Sequence, residues 1–185
     1  MESDNSNIII HDLYQSINKN IELSDNILFA NLQFKAISLD ELELILDVFE
    51  KNVGELNLEK KQKKVIYQIS VSVFYLTYSD SPNFFIIHKK TSKVEFHLAL
   101  IIKSNEVENY SRELKKLNQL INTTDKISYF SELEKLNPLA STIQPSEYYH
   151  IASRLKESMT YQFQGLTEEK SLFYLSFVYS ISALS

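Results

Sequence analysis

Apolar positions recur every three or four residues from Ile8 to Ile21, at Ile10, Leu13, Tyr14, Ile17 and Ile21, the spacing of a helix with one buried face. The rhythm then changes. Between Ser24 and Ile37, Leu28, Ala30, Leu32 and Phe34 alternate with Phe29, Asn31, Gln33 and Lys35, which predicts a strand. Helical spacing returns at Leu42, Ile45, Leu46, Phe49 and Val53. Ser38 stands three residues before Glu41 in the form of a capping box, and Gly54 sits where a helix-ending glycine belongs. From Val65 to Tyr78 the two-residue rhythm is long and rich in β-branched and aromatic side chains. Val65, Tyr67, Ile69, Val71, Val73 and Tyr75 fall on one parity, and Gln68, Ser70 and Ser72 on the other, as in a half-buried strand. Turns at Ser79–Pro82 and Lys89–Ser92 separate it from Phe84–His88 and Val94–Ile102, so the three segments are expected to form an antiparallel meander.

The second half begins with another capping-box spacing, Asn105 to Glu108, and a helical stripe of Val107, Tyr110, Leu114, Leu117 and Ile121. A shorter helix is expected over Ile127–Leu136, followed by a proline-bounded stretch, 137–145, that is the one candidate hinge. Ser146 is placed to cap a helix carrying Tyr148, Ala152, Leu155, Met159 and Phe163, with Gly165 at its end. In the last segment Phe173, Leu175, Phe177, Tyr179, Ile181 and Ala183 alternate with Tyr174, Ser176, Val178, Ser180 and Ser182. Thr167 followed by two glutamates equally suits a helix start, but the alternation favours a strand. The expected fold is α+β, a single domain over 1–185, with an antiparallel sheet of four to five strands packed against several amphipathic helices.

Composition narrows the chemistry. The 185 residues are 44% hydrophobic and 23% charged, as in an ordinary soluble globule. There is no cysteine, which removes disulfides, zinc–thiolate sites and thiol nucleophiles, and two glycines are too few for a phosphate-cradling loop. A net charge of −5 repels nucleic-acid backbones, and only Arg112 and Arg154 offer the planar fork that reads guanine, so sequence-specific nucleic-acid binding is not expected. Lys60, Lys61, Lys63 and Lys64 lie beside an acidic segment and are expected to form two solvated, mutually attracting faces; a polyanion contact is the weaker reading. No export signal or membrane span is visible, which makes the cytoplasm the expected location.

Four histidines are present. His11 and His150 lack partners at metal-ligand spacing. On the hairpin, pairing Lys89 with Ser92 places His88, Lys93, Glu95 and His97 on one face, with Phe85, Ile87, Val94, Phe96 and Leu98 on the other. In that register the two histidines are about 13 Å apart at about 3.3 Å per residue, too far to share an ion, so no metal site and no cofactor are expected. Glu95 and His97 remain close enough for acid–base work or an ion pair. Eleven tyrosines and eleven phenylalanines complete the inventory. The intermediate polarity of the strand face bearing Tyr67, Ser70 and Ser72, and the tyrosine-rich helix with Tyr148 and Tyr149, suit contact with another protein or self-association. The function expected is therefore a non-enzymatic protein-binding module: an adaptor, an inhibitor or neutraliser, or a chaperone-like holder. The alternative is a small-ligand binder or enzyme with a pocket between sheet and helices using Glu95 and His97.

Overall fold

The computed structural model describes residues 26–35, 39–77, 83–123 and 145–181. The predicted helices over Ile8–Ile21, with His11, and over Ile127–Leu136, the Ser38 cap and the hinge before Pro145 lie outside the described residues. The elements run β1 (Asn26–Lys35), α1 (Leu39–Gly54), α2 (Lys60–Thr77), β2 (Asn83–Lys89), β3 (Lys93–Lys103), a 3-10 turn at Ser104–Glu106, α3 (Val107–Ile121), α4 (Pro145–Ala152), β4 (Thr160–Gly165) and β5 (Lys170–Ser180). The fold is α+β: five antiparallel strands in the order β1-β2-β3-β5-β4, with helices packed on one face.

The expected strand Val65–Tyr78 is not one over its described residues. Val65 to Thr77 is helical, in α2, and the meander is shorter by its first member. Two rhythms coexist in that stretch. Odd positions satisfy a strand, but Ile66, Ile69, Ser70, Val73 and Phe74 form a stripe at spacings of three, four, seven and eight, and all five are buried. The start of the helix decides between them: the Gln62 side chain accepts from the Glu59 backbone N–H at 3.1 Å, half of a capping box. Lys63 Nζ donates to the Gly54 carbonyl at 2.7 Å, tying this start to the end of α1. Ser70 satisfies its buried hydroxyl by donating to the Ile66 carbonyl at 2.9 Å, so a polar residue costs little on the buried stripe.

Four rings lock this corner together. Phe49 of α1 meets Phe74 of α2 edge-on at 5.4 Å, Phe74 meets Phe85 of β2 at 5.2 Å, and Phe85 stacks on Phe29 of β1 at 5.0 Å. β1 carries a bulge at Leu28, where pairing to β2 skips from Ile27 to Phe29, and Asn52 of α1 donates to the Leu28 carbonyl at 3.0 Å.

Two further expectations fail nearby. The helix begun at Ser146 does not run to Phe163: α4 ends at Ala152, and Tyr161 and Phe163 belong to β4. Asn118 of α3 holds the connection through two 2.8 Å bonds to the backbone of Met159, which a sequence pattern does not reveal. Gly165 accordingly ends a strand, and Thr167 makes the β4–β5 turn by accepting the Glu169 and Lys170 N–H groups. At the start of α3 neither Asn105 nor Glu108 forms the expected cap; Glu106 is the N-cap and makes no side-chain bond. No helix among the described residues is long and apolar enough to cross a membrane.

Candidate functional site

The alternation along β2, β3 and β5 gives the sheet two unlike faces. Phe85, Ile87, Val94, Phe96, Leu98, Phe173, Leu175 and Phe177 fill the space under the helices. The other face carries Phe84, Ile86, Ala99 and Leu172 as a small apolar cluster, and beside it His88, Glu95, His97 and Tyr174.

Register brings these polar groups together. The hairpin closes with Lys90 N–H donating to the Lys93 carbonyl at 2.8 Å, so Lys89 pairs with Val94 rather than Ser92, His88 with Glu95 and Ile86 with His97. This two-residue slip keeps each side chain on its expected face but halves the offset between the histidines, from four residues to two. Such diagonal neighbours are within reach of long side chains. The separation of about 13 Å expected from sequence is therefore wrong: His88 Nε2 and His97 Nε2 are 3.1 Å apart, their rings stacked at 5.2 Å. On its far side β3 is paired along its whole length with β5, in a ladder that runs from Lys103↔Lys170 to Lys93↔Ser180 and continues with Ile181 N–H donating to the Ser92 carbonyl at 2.7 Å.

Glu95 sits at the centre. Its Oε2 lies 3.3 Å from His88 Nε2, 3.7 Å from His97 Nε2 and 3.5 Å from Lys90 Nζ, while Oε1 pairs with Lys93. Burial works against its charge, but Lys93, Lys90 and His88 outweigh that and hold the carboxyl below its usual range. His97 is pushed down to about 4, by burial first and then by His88, with Glu95 opposing. Its imidazole is thus neutral at neutral pH. His97 Nδ1 contacts the Tyr174 hydroxyl at 2.7 Å, and burial raises the pKa of that phenol, keeping it protonated. The side chain of His88 is fully buried, while those of Glu95 and His97 keep 12% and 13% exposure.

The other anticipated residues fare differently. Tyr67, Ser70 and Ser72 lie on α2, not on a sheet face, and both serines are buried, so the proposed contact surface there is overturned. Tyr67 is half-buried and stacks on Phe49 at 6.4 Å. Tyr148 is buried under α4, and Tyr149 is half-buried against the core, because α4 is wedged between α2 and α3 rather than presented outward. The alternative pocket between sheet and helices using Glu95 and His97 is also overturned: that space is filled by core side chains, and both residues lie on the opposite face. Two surface depressions border the described residues, one around Ser111, Arg112 and Lys115 and one around Lys103, Asn105 and Glu168, and neither touches the cluster. Sequence reasoning missed Lys90 and Tyr174 in the network. It also missed the outer side of α1, where Leu44 and Val48, one turn apart, are 67% and 54% exposed among exposed Asp40, Glu43 and Asp47; the off-stripe apolar pair was a readable signal.

No protein-family model and no curated protein matches the sequence. Among solved structures the chain is similar to one from "The crystal structure of SiaB-SiaC complex from Pseudomonas aeruginosa", with a TM-score of 0.64 at 10% identity, over 90% of this chain and 96% of that one. At that identity the likeness is one of fold.

Proposed function

We propose that this chain is a protein-binding module, an adaptor or neutraliser, that docks the outer side of α1 into a folded partner. The observation that carries the reading is the pair Leu44 and Val48, exposed one turn apart on a stable helix and bordered by Asp40, Glu43 and Asp47. An amphipathic helix laid into a groove is a recurring mode of recognition, and here the complementary partner has an apolar cleft with a basic rim. The fold neighbour, crystallised as one chain of a two-protein complex, supports the same direction. A second copy of this chain is disfavoured as the occupant, because like-signed side chains would meet. A holder of unfolded chains is disfavoured as well. The large exposed apolar side chains among the described residues are Ile27, Leu44, Val48 and Tyr75, fewer than a broad client surface needs.

Burial of a leucine or valine side chain contributes about 1.5–3 kcal/mol, so losing both contacts weakens binding by about 100-fold or more. The test compares tagged wild type with the Leu44→Glu/Val48→Glu variant in extracts of the source cells, after circular dichroism shows equal folding. The wild type is expected to retain a discrete partner, less well as salt rises, and the variant to lose it. A partner that binds both forms equally, or a wild type that retains nothing and runs as a monomer in light scattering, overturns the reading.

A further inference from the structure

We infer that His88, Glu95 and His97 form a binding site for one divalent transition-metal ion of the zinc class, on the sheet face opposite the helices. His88 Nε2, His97 Nε2 and Glu95 Oε2 make a triangle with edges of 3.1, 3.3 and 3.7 Å. A tetrahedral ion with ligands at about 2.0–2.2 Å separates them by about 3.3–3.6 Å, so the triangle is within a few tenths of an ångström of one face of such a site. Two imidazoles and a carboxylate select zinc and its neighbours over magnesium or calcium, which take oxygen shells.

The surroundings of His97 and Glu95 fit the same role. A ligating histidine holds its other ring nitrogen in an outer hydrogen bond, and His97 does so through Nδ1 to the Tyr174 hydroxyl at 2.7 Å. Donation of Nδ1–H to that oxygen leaves a lone pair on Nε2, facing His88 and Glu95. Lys93 occupies Oε1 of Glu95, which orients the carboxylate so that Oε2 points at both imidazoles. The two Nε2 atoms are within hydrogen-bond distance at 3.1 Å, and an ion bound between them displaces any proton held there to solvent. Glu95 and His97 keep the partial exposure through which an ion and a water at the fourth position reach the site. The proposal is independent of docking through α1.

The experiment strips the full chain with a chelator and titrates it with Co²⁺ and Zn²⁺. One Co²⁺ per chain is expected, with visible absorption of a tetrahedral site that Zn²⁺ abolishes, and Zn²⁺ raises the melting temperature where Mg²⁺ and Ca²⁺ at equal concentration do not. Glu95→Gln and His97→Gln lose both effects, the melting shift being read against each variant's own metal-free melting temperature. Tyr174→Phe still binds, roughly 10–100-fold more weakly. Ring-¹⁵N NMR of the wild type gives a readout that needs no variant: Zn²⁺ shifts Nε2 of His88 and His97. A titration without visible absorption or melting shift, shifts confined to His11 and His150, equal response to Mg²⁺, or unchanged binding by folded Glu95→Gln and His97→Gln overturns the site.

Discussion

Tyr148 and Tyr174 show how the same side chain takes opposite roles according to what meets its hydroxyl. Tyr174 is bonded to His97, whereas the Tyr148 hydroxyl is fully buried with no hydrogen-bond partner among the described residues. Removing an unsatisfied buried hydroxyl relieves its desolvation cost, so Tyr148→Phe is expected to be neutral or to stabilise by up to about 1 kcal/mol in urea denaturation. A loss larger than that would mean the hydroxyl is bonded. Burial raises the Tyr148 pKa well above the usual value, and those of Tyr110 and Tyr174 as well. In the unfolded chain these phenols ionise near pH 10, whereas in the native state they stay protonated. Their contribution to stability is therefore complete below about pH 10 and disappears as pH rises toward the folded values. Tyrosinate absorbance is expected to jump at the alkaline unfolding transition, and Tyr148→Phe to move that transition to higher pH. The stripe shared with Ala152 already placed Tyr148 on the inward side; that its hydroxyl meets no partner there was decided by the packing of α4.

Helix α2 and strand β4 are the two elements whose identity depends on what they pack against. Val65–Thr77 satisfies both periods, and its assignment turns on Gln62 reaching back to Glu59 and on Phe74 of the buried stripe meeting Phe49 and Phe85. Arg154 adds a tie from the far side, donating through Nη2 and Nε to Gln68 Oε1 at 3.1 and 3.3 Å. For β4 the deciding contact is Asn118, whose amide pairs both ways with the Met159 backbone. Asn118→Ala leaves that N–H and C=O without their partners and is expected to cost about 1–3 kcal/mol, measured by thermal or urea denaturation. Hydrogen exchange should localise the damage, with faster exchange at Met159 and along β4 and little change in β2 or β3; uniform loosening would argue against a local clamp. By contrast α1 and α3 followed from one clear period each, and β5 from an alternation set against a competing helix start at Thr167. In those segments one periodicity dominates and burial agrees with it.

For the molecule as a whole, β5 is the central dependency, since it pairs on both sides and its inner side chains complete the core. Phe173 is fully buried, stacked on Phe163 at 5.1 Å and tilted against Tyr110 at 5.2 Å, thereby joining β5, β4 and α3. Phe173→Ala is expected to destabilise the chain by about 3–5 kcal/mol, read as a large fall in the denaturation midpoint. A loss under about 1 kcal/mol would show that the sheet does not depend on this junction. Because β5 backs β3 along its length and its Tyr174 bonds His97, weakening it should loosen the His88–Glu95–His97 arrangement from a distance. The alternation of polar and apolar positions was enough to reveal the α+β class, the antiparallel hairpin and the face on which His88, Glu95 and His97 fall, because side-chain direction along a strand is a local property of period two. It was not enough to say how far apart those groups lie or which face of a helix is covered. A two-residue slip in register leaves every face unchanged and every distance altered, so the same alternation fits either register, and only the folded hairpin, closed from Lys90 to Lys93 with His88 opposite Glu95, selects one.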